Sequence, residues 1–490
     1  MRVLHVCTEI FPLLKTGGLA DVLAGLPPAQ VALGCDVRIL LPGFPAIRAG
    51  VQDLQPLHIL PPAFGASSIT LLLGRLPDTG SAAAAIPIYV IDAPDLYDRP
   101  GNPYADAHNV AYADNDRRFA LLGWMAMRLA RGLDAQWQPQ VVHGHDWHAG
   151  LAPAYLATLP QHAQAPRVGT VMTVHNLAYQ GMFPAEAFAQ LGLPLETFAV
   201  DGVEFYGQVS FLKAGLYYAD LLTTVSPTYA REIQEPAQGC GLHGLLHDRA
   251  DALFGILNGV DDQVWNPAAD TLIAACFDRA DLAGKARCKT ALQGECGLAV
   301  QPEALLFGVV SRLTEQKGLN LVLAGMQALL RQGGQLVLLG SGDSWMQDAF
   351  LALARAHPAQ VAVEIGYDEA KAHRIVAGCD VLLVPSLFEP CGLTQMYALN
   401  YGALPLVRRV GGLADTVCDS TLENLADDSA TGIVFDQFGE DDFNRAVRRA
   451  FALRARPADW QQVQQRGMQQ HFDWASAARA LIALYERTIA

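Results

Sequence analysis

Short apolar runs alternate with longer stretches of helical periodicity along almost the whole of this chain. That alternation is the sequence form of repeated βαβ units and dictates parallel sheets covered by helices on both faces. In the first half the runs place strands near Val3 to Cys7, Val37 to Leu41, Ile88 to Ile91, Val141 to His145, Gly169 to Val174 and Leu221 to Val225. The pattern restarts with Leu305 to Val310, Leu336 to Leu339, Val361 to Ile365, Val381 to Val384, Leu404 to Val407 and Gly432 to Phe435, separated by helical segments such as Leu319 to Arg331. A chain of 490 residues is too long for one ordinary core, so two α/β domains are expected. The break lies around Ile256-Leu-Asn-Gly-Val-Asp261, where Asn-Gly is a turn signal and a loop rich in Asp, Asn and Pro follows. This sets the domains at residues 1–256 and 257–472. Residues 473–490 carry an amphipathic helix, Trp474 to Ile489, which periodicity alone reads as the last helix of the second domain.

Charge narrows the partners. With 34 Lys and Arg against 49 Asp and Glu, the net charge of −15 repels nucleic acid and acidic membrane surfaces. A small phosphorylated ligand stays compatible, because a local Arg and Lys pair in a water-poor crevice outweighs a distant acidic surface. Nine scattered Cys with no CxxC pair point to a reducing compartment, away from a disulfide framework or a structural zinc site. The short apolar start meets Lys15 early, and no stretch reaches membrane-span length, so a cytoplasmic protein is expected.

Polar clusters fall at the ends of the predicted strands, where open α/β sheets bind ligands. Lys15-Thr-Gly-Gly-Leu-Ala-Asp21 follows the first strand and opens a helix; it lacks the Gly-Lys-Ser/Thr of a P-loop and the G-x-G-x-x-G of a dinucleotide site. Its Gly17-Gly-Leu-Ala-Asp21 recurs as Gly411-Gly-Leu-Ala-Asp415, so one device, glycines that expose helix N–H groups to a ligand, is expected in both domains. His143-Gly-His-Asp-Trp-His148 ends a strand with His143 and His145 on one side, and either aims polar groups into a crevice or starts a helix capped by Asp146. Binuclear hydrolases want H-x-H-x-D-H, and Asp146 directly after His145 misses that spacing. Thr173-Val-His-Asn-Leu-Ala-Tyr179 closes the next strand and offers His175 and Asn176.

In the second half, Ser311-Arg-Leu-Thr-Glu-Gln-Lys-Gly318 brackets a loop with Arg312 and Lys317, two cations suited to a diphosphate at a helix start. Pro385-Ser-Leu-Phe-Glu-Pro-Cys-Gly-Leu-Thr-Gln-Met-Tyr397 sets Glu389 after a buried strand and turns into a helix. Cys391 is either an acidified nucleophile there or part of a turn offering backbone N–H groups, and no His is close in sequence to activate it. Asp114-Asn-Asp116 has the form of a D-x-D metal motif, but it opens the apolar-periodic helix Arg117 to Leu129, where acids cap and complement the dipole.

Taken in order, Lys15-to-Asp21, His143-to-Gly150, Thr173-to-Asn176, Leu257-Asn-Gly-Val-Asp261, Ser311-to-Gly318 and Glu389-to-Gln395 resemble bacterial glycogen synthases and the plant starch synthases over nearly the whole chain. The resemblance implies two Rossmann-like doubly wound domains facing each other across a deep cleft (GT-B type), an acceptor side at residues 1–256 and a nucleotide-sugar side at 257–472. It also implies a tail helix that crosses back to the first domain. The implied reaction moves glucose from ADP-glucose to the non-reducing 4-hydroxyl of an α-1,4-glucan, with retention and release of ADP. Carried over by motif, Arg312 and Lys317 neutralise the diphosphate, assisted by Lys15, Gly17, Gly18 and Asp21. Glu389, Cys391, Gly392, Leu393 and Thr394 hold the glucose and phosphate; His175, Asp146, Asn176, Asn258 and Tyr367 border the donor. No metal or other cofactor is implied, because the cations stabilise the leaving diphosphate. Many related retaining enzymes carry E-x7-E, but counting from Glu389 the second position here is Tyr397, so no nucleophile is assigned there. Two other readings compete: a metallohydrolase centred on His143, His145, Asp146 and His148, and a glucan- or sugar-nucleotide-binding protein without activity.

Overall fold

The computed structural model describes residues 1–77, 86–108, 110–160 and 166–489. The chain divides into two compact units, Met1–Gly259 with Trp474–Ala490, and Val260–Asp473.

The first unit contains strands β1 (Arg2–Val6), β2 (Asp36–Pro42), β3 (Gln52–Leu60), β4 (Ile69–Arg75), β5 (Pro87–Asp92), β6 (Val141–His145), β7 (Gly169–Val174), β8 (Met182–Pro184), β9 (Glu204–Phe205), β10 (Gln208–Ser210), β11 (Leu221–Thr224) and β12 (Leu253–Gly255). Nine of them form one sheet in the order β12-β11-β7-β6-β1-β2-β5-β4-β3. Its centre is parallel, and only β3 and β4 add antiparallel pairings at one edge. The strands of β6 and β7 are buried at every position, as a sheet covered on both faces requires. The structure adds strands that the sequence reading did not place: β3, β4, β8, β9, β10 and β12. β3 carries Pro56, is largely exposed and is interrupted by register shifts, so it shows neither a buried run nor clean alternation. The β8-β10-β9 sheet and β12 consist of two- and three-residue strands, below the length at which periodicity speaks.

The C-terminal helix, Trp474–Ile489, packs on the first unit through Ala477, Ala478, Leu481, Leu484, Tyr485 and Thr488, a spacing that keeps one face buried. Glycines receive it. A Cβ on Gly25 would lie 2.1 Å from the Trp474 indole, one on Gly259 2.6 Å from its backbone N, and one on Gly169 2.0 Å from Thr488 Oγ1. The helix therefore belongs to the first unit because small residues leave it a bed there, which hydrophobic periodicity does not encode.

The second unit holds β13 (Leu306–Val310), β14 (Gln335–Gly340), β15 (Val361–Ile365), β16 (Val381–Val384), β17 (Leu404–Arg408) and β18 (Ile433–Phe435). All pair in parallel, in the order β15-β14-β13-β16-β17-β18. This is the doubly wound order in which the direction of winding reverses between the first and fourth strands, here β13 and β16. In the first unit the same reversal falls between β1 and β6. Loops leaving the two strands on either side of such a point diverge to opposite faces of the sheet and open a crevice between them.

Candidate active site

In the second unit both loops at the crevice carry predicted residues. The Ser311–Gly318 loop leaves β13 and closes with Gly318 at φ +70°. A Cβ there would sit 2.0 Å from Pro385 O, so only glycine lets this loop lie against the one that leaves β16. Leu387 N donates to Gln316 O (2.8 Å), joining the loops by their backbones. Lys317 Nζ then lies 2.6 Å from Glu389 Oε2, which also accepts from Ser386 Oγ at 2.9 Å. Both charged side chains are largely shielded, and the pair offsets the cost of burying either charge alone. Arg312 is exposed, its guanidinium bonded only weakly to Gln316 Oε1 at 3.4 Å.

Beyond Glu389 the chain turns at Gly392 (φ +72°) into the helix Thr394–Asn400, whose first turn has no capping side chain. Gln395 Nε2 ties the turn by donating to Cys391 O and Gly392 O at 3.1 and 2.9 Å. Cys391 is buried, and Leu393 and Thr394 are half-buried at the helix start. Tyr397, at the position where many relatives carry a second acid, lies flat on Trp265 with ring centroids 3.9 Å apart; His373 covers the other face of that indole at 3.8 Å. Tyr367 is exposed and donates to Glu369.

The recurrent Gly-Gly-Leu-Ala-Asp serves two different ends, contrary to the expectation of one shared device. A Cβ on Gly411 would fall 1.9 Å from Glu389 O, and one on Gly412 2.1 Å from Cys391 O. That pair lets backbone pack on backbone behind Glu389. Gly17 and Gly18 have nothing within 4 Å of such an atom, and the helix Gly18–Ala32 that they open has no side-chain cap. Its N-terminal N–H groups lie bare, a place for an anion. Lys15 and Asp21 flank it and pair with each other at 2.9 Å.

At the reversal point of the first unit, β1 runs on through Cys7 into Thr8-Glu9, and β6 ends at His145 with Asp146 directly after it. Glu9, which carries no motif signal, is buried and accepts from Thr16 N (2.5 Å), Thr16 Oγ1 (2.6 Å) and Tyr104 OH, holding the Lys15–Gly18 loop to the sheet. Asp146 does not cap a helix. It adopts φ +54°, and its Oδ1 accepts from His175 N at 2.7 Å and more weakly from Asn176 N at 3.4 Å, fixing the end of β7. Burial pushes its carboxyl up to about 7, more than these N–H donors hold it down. Asn176 forms a local turn by accepting from Ala178 N. Asn258 lines a small cavity of about 20 Å³ beside His143, His145, His175 and Trp474, room for about one water.

Strand register assembles the histidines. His5 on β1 lies opposite His143 on β6, His145 opposite Thr173 on β7, and Thr173 opposite Thr223 on β11. His5 Nδ1 bonds His145 Nε2 (2.9 Å), and His145 Nδ1 bonds His175 Nε2 (3.0 Å). His5 Nε2 reaches Gln30 Oε1 at 2.8 Å, and Gln30 Nε2 donates to Tyr485 OH on the C-terminal helix at 3.0 Å. The same phenol bonds His143 Nδ1 (2.6 Å), whose Nε2 meets Thr173 Oγ1 (2.6 Å), and Thr173 bonds Thr223 at 2.5 Å. Burial holds every one of these imidazoles neutral: His5 falls to about 4, His175 to about 3, and His143 and His145 well below the ordinary histidine range. His5, Gln30, Glu9, Ser386 and Tyr485 were not legible as site residues. Each is a single polar residue inside an apolar or helical pattern, and only the register brings it to a partner.

Among the described residues His5, His143 and His145 bring three ring nitrogens within 4.8 Å of one another. All six ring nitrogens of the three are already hydrogen-bonded. Asp146 and His148 stand outside this group, His148 stacked on Tyr104 at 4.8 Å. Asp114 occupies the cap position of the helix Asn115–Ala130, yet its carboxylate grips the Arg99 guanidinium through two bonds, 2.8 and 2.7 Å, and caps no N–H. This corrects the capping role expected for it.

Residues 2–248 match the family described as starch synthase catalytic domain, and residues 298–466 the glycosyl transferases group 1. The chain is 58% identical over 490 residues to the glycogen synthase of Francisella philomiragia, covering 100% of both chains. The glycogen synthase of Francisella tularensis subsp. novicida is likewise 58% identical, with 100% of this chain and 99% of that one covered. The chain belongs to the glycogen and starch synthase family. Its fold superposes on the catalytic domain of starch synthase IV from Arabidopsis thaliana, solved with ADP and acarbose, with TM-score 0.89 and 32% identity over 100% of this chain and 99% of that one. Sucrose-phosphate synthase from Thermosynechococcus elongatus shares the fold at TM-score 0.57 and 15% identity, over 99% and 98% of the two chains. The protein is accordingly a glycosyltransferase of two doubly wound α/β units. Among the described residues no helix is long and apolar enough to cross a membrane.

Proposed function

We propose that the protein transfers glucose from ADP-glucose to the non-reducing 4-hydroxyl of an α-1,4-glucan, with retention of configuration and release of ADP, in the cytoplasm. The observation that carries this reading is the Lys317–Glu389 pair at the reversal point of the second unit, beside exposed Arg312, within a chain 58% identical end to end to glycogen synthases.

The chemistry follows from charge. The anomeric carbon–oxygen bond to the phosphate breaks, leaving an oxocarbenium-like sugar and a nucleoside diphosphate anion. The acceptor oxygen bonds the same face of the sugar, and its proton passes to the leaving phosphate. Arg312 and Lys317 act on the charge that grows on the diphosphate, where stabilisation lowers the barrier. The bare N–H groups after Gly17 and at Leu393 and Thr394 add dipoles of the same sign. Donor binding draws Lys317 towards phosphate and leaves Glu389 to accept from sugar hydroxyls. Asp146 fixes the His175 and Asn176 backbone, and the His175 carbonyl is directed at the cationic carbon. Tyr367 and Asn258 contribute at the edges of the donor. No metal is required, since protein cations take its place; the histidine nitrogens a metal would need are engaged with other histidines, Gln30, Tyr485 and Thr173.

Incubation with labelled ADP-glucose and glycogen tests the reading. Label incorporated into the polymer should be released completely by β-amylase, as outer α-1,4-linked chains are, and incorporation should persist in EDTA. Resistance to the amylase would contradict the linkage. UDP-glucose run in parallel tests the base preference, and loss of incorporation in EDTA would contradict metal independence.

A further inference from the structure

We infer that Gln30 and Tyr485 are positioning residues that hold His175 as the Nε2–H tautomer, so that its Nδ1 is presented to the site as a bare hydrogen-bond acceptor. Gln30 Oε1 can only accept, so His5 must carry its proton on Nε2. A neutral imidazole has one ring proton, so His5 Nδ1 accepts, and His145 must donate to it from Nε2. His145 Nδ1 then accepts in turn, and His175 donates from Nε2. His175 Nδ1 is left without a hydrogen-bond partner among the described residues.

The other arm agrees. Gln30 spends its amide hydrogen on Tyr485 OH, so the phenol donates to His143 Nδ1, and His143 donates from Nε2 to Thr173. Thr173 passes its own hydrogen to Thr223. Every group between His175 and Thr223 donates once and accepts once along the chain, in a single direction. Rotating the Gln30 amide would reverse the whole chain and end it with an N–H at His175 that has no partner. The amide as placed, with Oε1 2.8 Å from His5 Nε2 and Nε2 3.0 Å from Tyr485 OH, gives the direction stated.

Gln30, His5, His143 and His145 are completely buried, so each takes its hydrogen bonds from its neighbours in the chain. The C-terminal helix therefore does more than pack: it supplies the phenol that fixes the amide, and through it the polarity of His175 at the end of β7. The amide does not pass a proton along readily, so the chain transmits orientation and not charge. What His175 Nδ1 accepts from depends on the function proposed above; its tautomer does not.

The test is the nitrogen spectrum of the full-length, ligand-free protein labelled with 15N-histidine, with His175 assigned by its loss in His175→Asn. His5, His145 and His175 should all show the Nε2–H pattern. An Nδ1–H pattern at His175 in the wild-type protein overturns the inference without any variant having to fold. In Tyr485→Phe the amide loses its anchor, and His175 should show both tautomers, with kcat lower by about three- to tenfold, the loss of one hydrogen bond in the site. A Tyr485→Phe protein that melts earlier but keeps the His175 Nε2–H pattern would make Tyr485 a packing residue only and contradict the proposal. Because the spectrum is recorded without substrate, failure of the glucosyl-transfer reading leaves it standing, and its failure leaves that reading untouched.

Discussion

Lys317 and Glu389 meet at 2.6 Å although 72 residues separate them in sequence, because β13 and β16 are neighbours at the reversal point of the second unit. Each was legible as a ligand group, but their pairing was not. Replacing Lys317 by Met leaves Glu389 shielded and without a counter-charge, and should destabilise the second unit by about 3–5 kcal/mol. Adding Glu389→Gln should recover much of that loss while activity stays at least about a hundredfold down. Calorimetric melting of the two variants beside the wild type measures the first effect, and ADP release the second.

The two Gly-Gly pairs should respond in opposite ways. Gly18→Ala meets open space at a helix start and should raise stability by about 0.5–1 kcal/mol while lowering kcat/KM. Gly411→Ala, at φ +42° and 1.9 Å from Glu389 O, should cost stability and activity together. Thermal melting and initial rates on the same preparations separate the two cases.

Two sets of buried groups make stability depend on pH with opposite sign. His5 at about 4, and His148 and His175 at about 3, lie below their ordinary value of 6.5, so the unfolded chain binds protons first as pH falls. Their contribution is complete above pH 6.5 and is lost on acidification through the folded values, about 2 kcal/mol for each group by pH 5. Asp146 acts in reverse: its carboxyl, raised from 3.8 to about 7, contributes most at low pH and loses that contribution as pH rises between those values. Asp146→Asn keeps an acceptor for His175 N and tolerates the positive φ. It should melt higher relative to wild type at pH 8 than at pH 4, and an unchanged difference would contradict the assignment.

Trp474 should anchor the last helix to the first unit. Trp474→Ala empties the place between Gly25 and Gly259 and should cost roughly 3 kcal/mol, whereas Gly25→Ala drives a methyl into the indole and should cost about 1–3 kcal/mol. Hydrogen exchange along residues 474–489 should rise in both.

Apart from the three-residue β12, the parallel strands of both sheets were readable because burial writes them as largely apolar runs. The exposed, Pro-containing β3 and the short β12 left no such mark. Motif residues at strand ends, such as Asp146, His175, Arg312 and Lys317, were readable because a doubly wound sheet puts those ends at its binding edge. Glu9 and Gln30 were not, since one acid after a strand and one amide in a helix are ordinary residues until register and packing select their partners. The repeated Gly-Gly-Leu-Ala-Asp misled for a related reason: glycine records that a Cβ is unwelcome, and does not record whether ligand or backbone takes its place.

The most direct measurement of the central claim is ADP release from ADP-glucose by the purified protein, with and without glycogen. Release that requires glycogen and falls at least about a hundredfold in Lys317→Ala, in a protein whose first unit still melts as the wild type does, is the predicted result. No release with any glucan primer, or release that Lys317→Ala leaves unchanged, would contradict it.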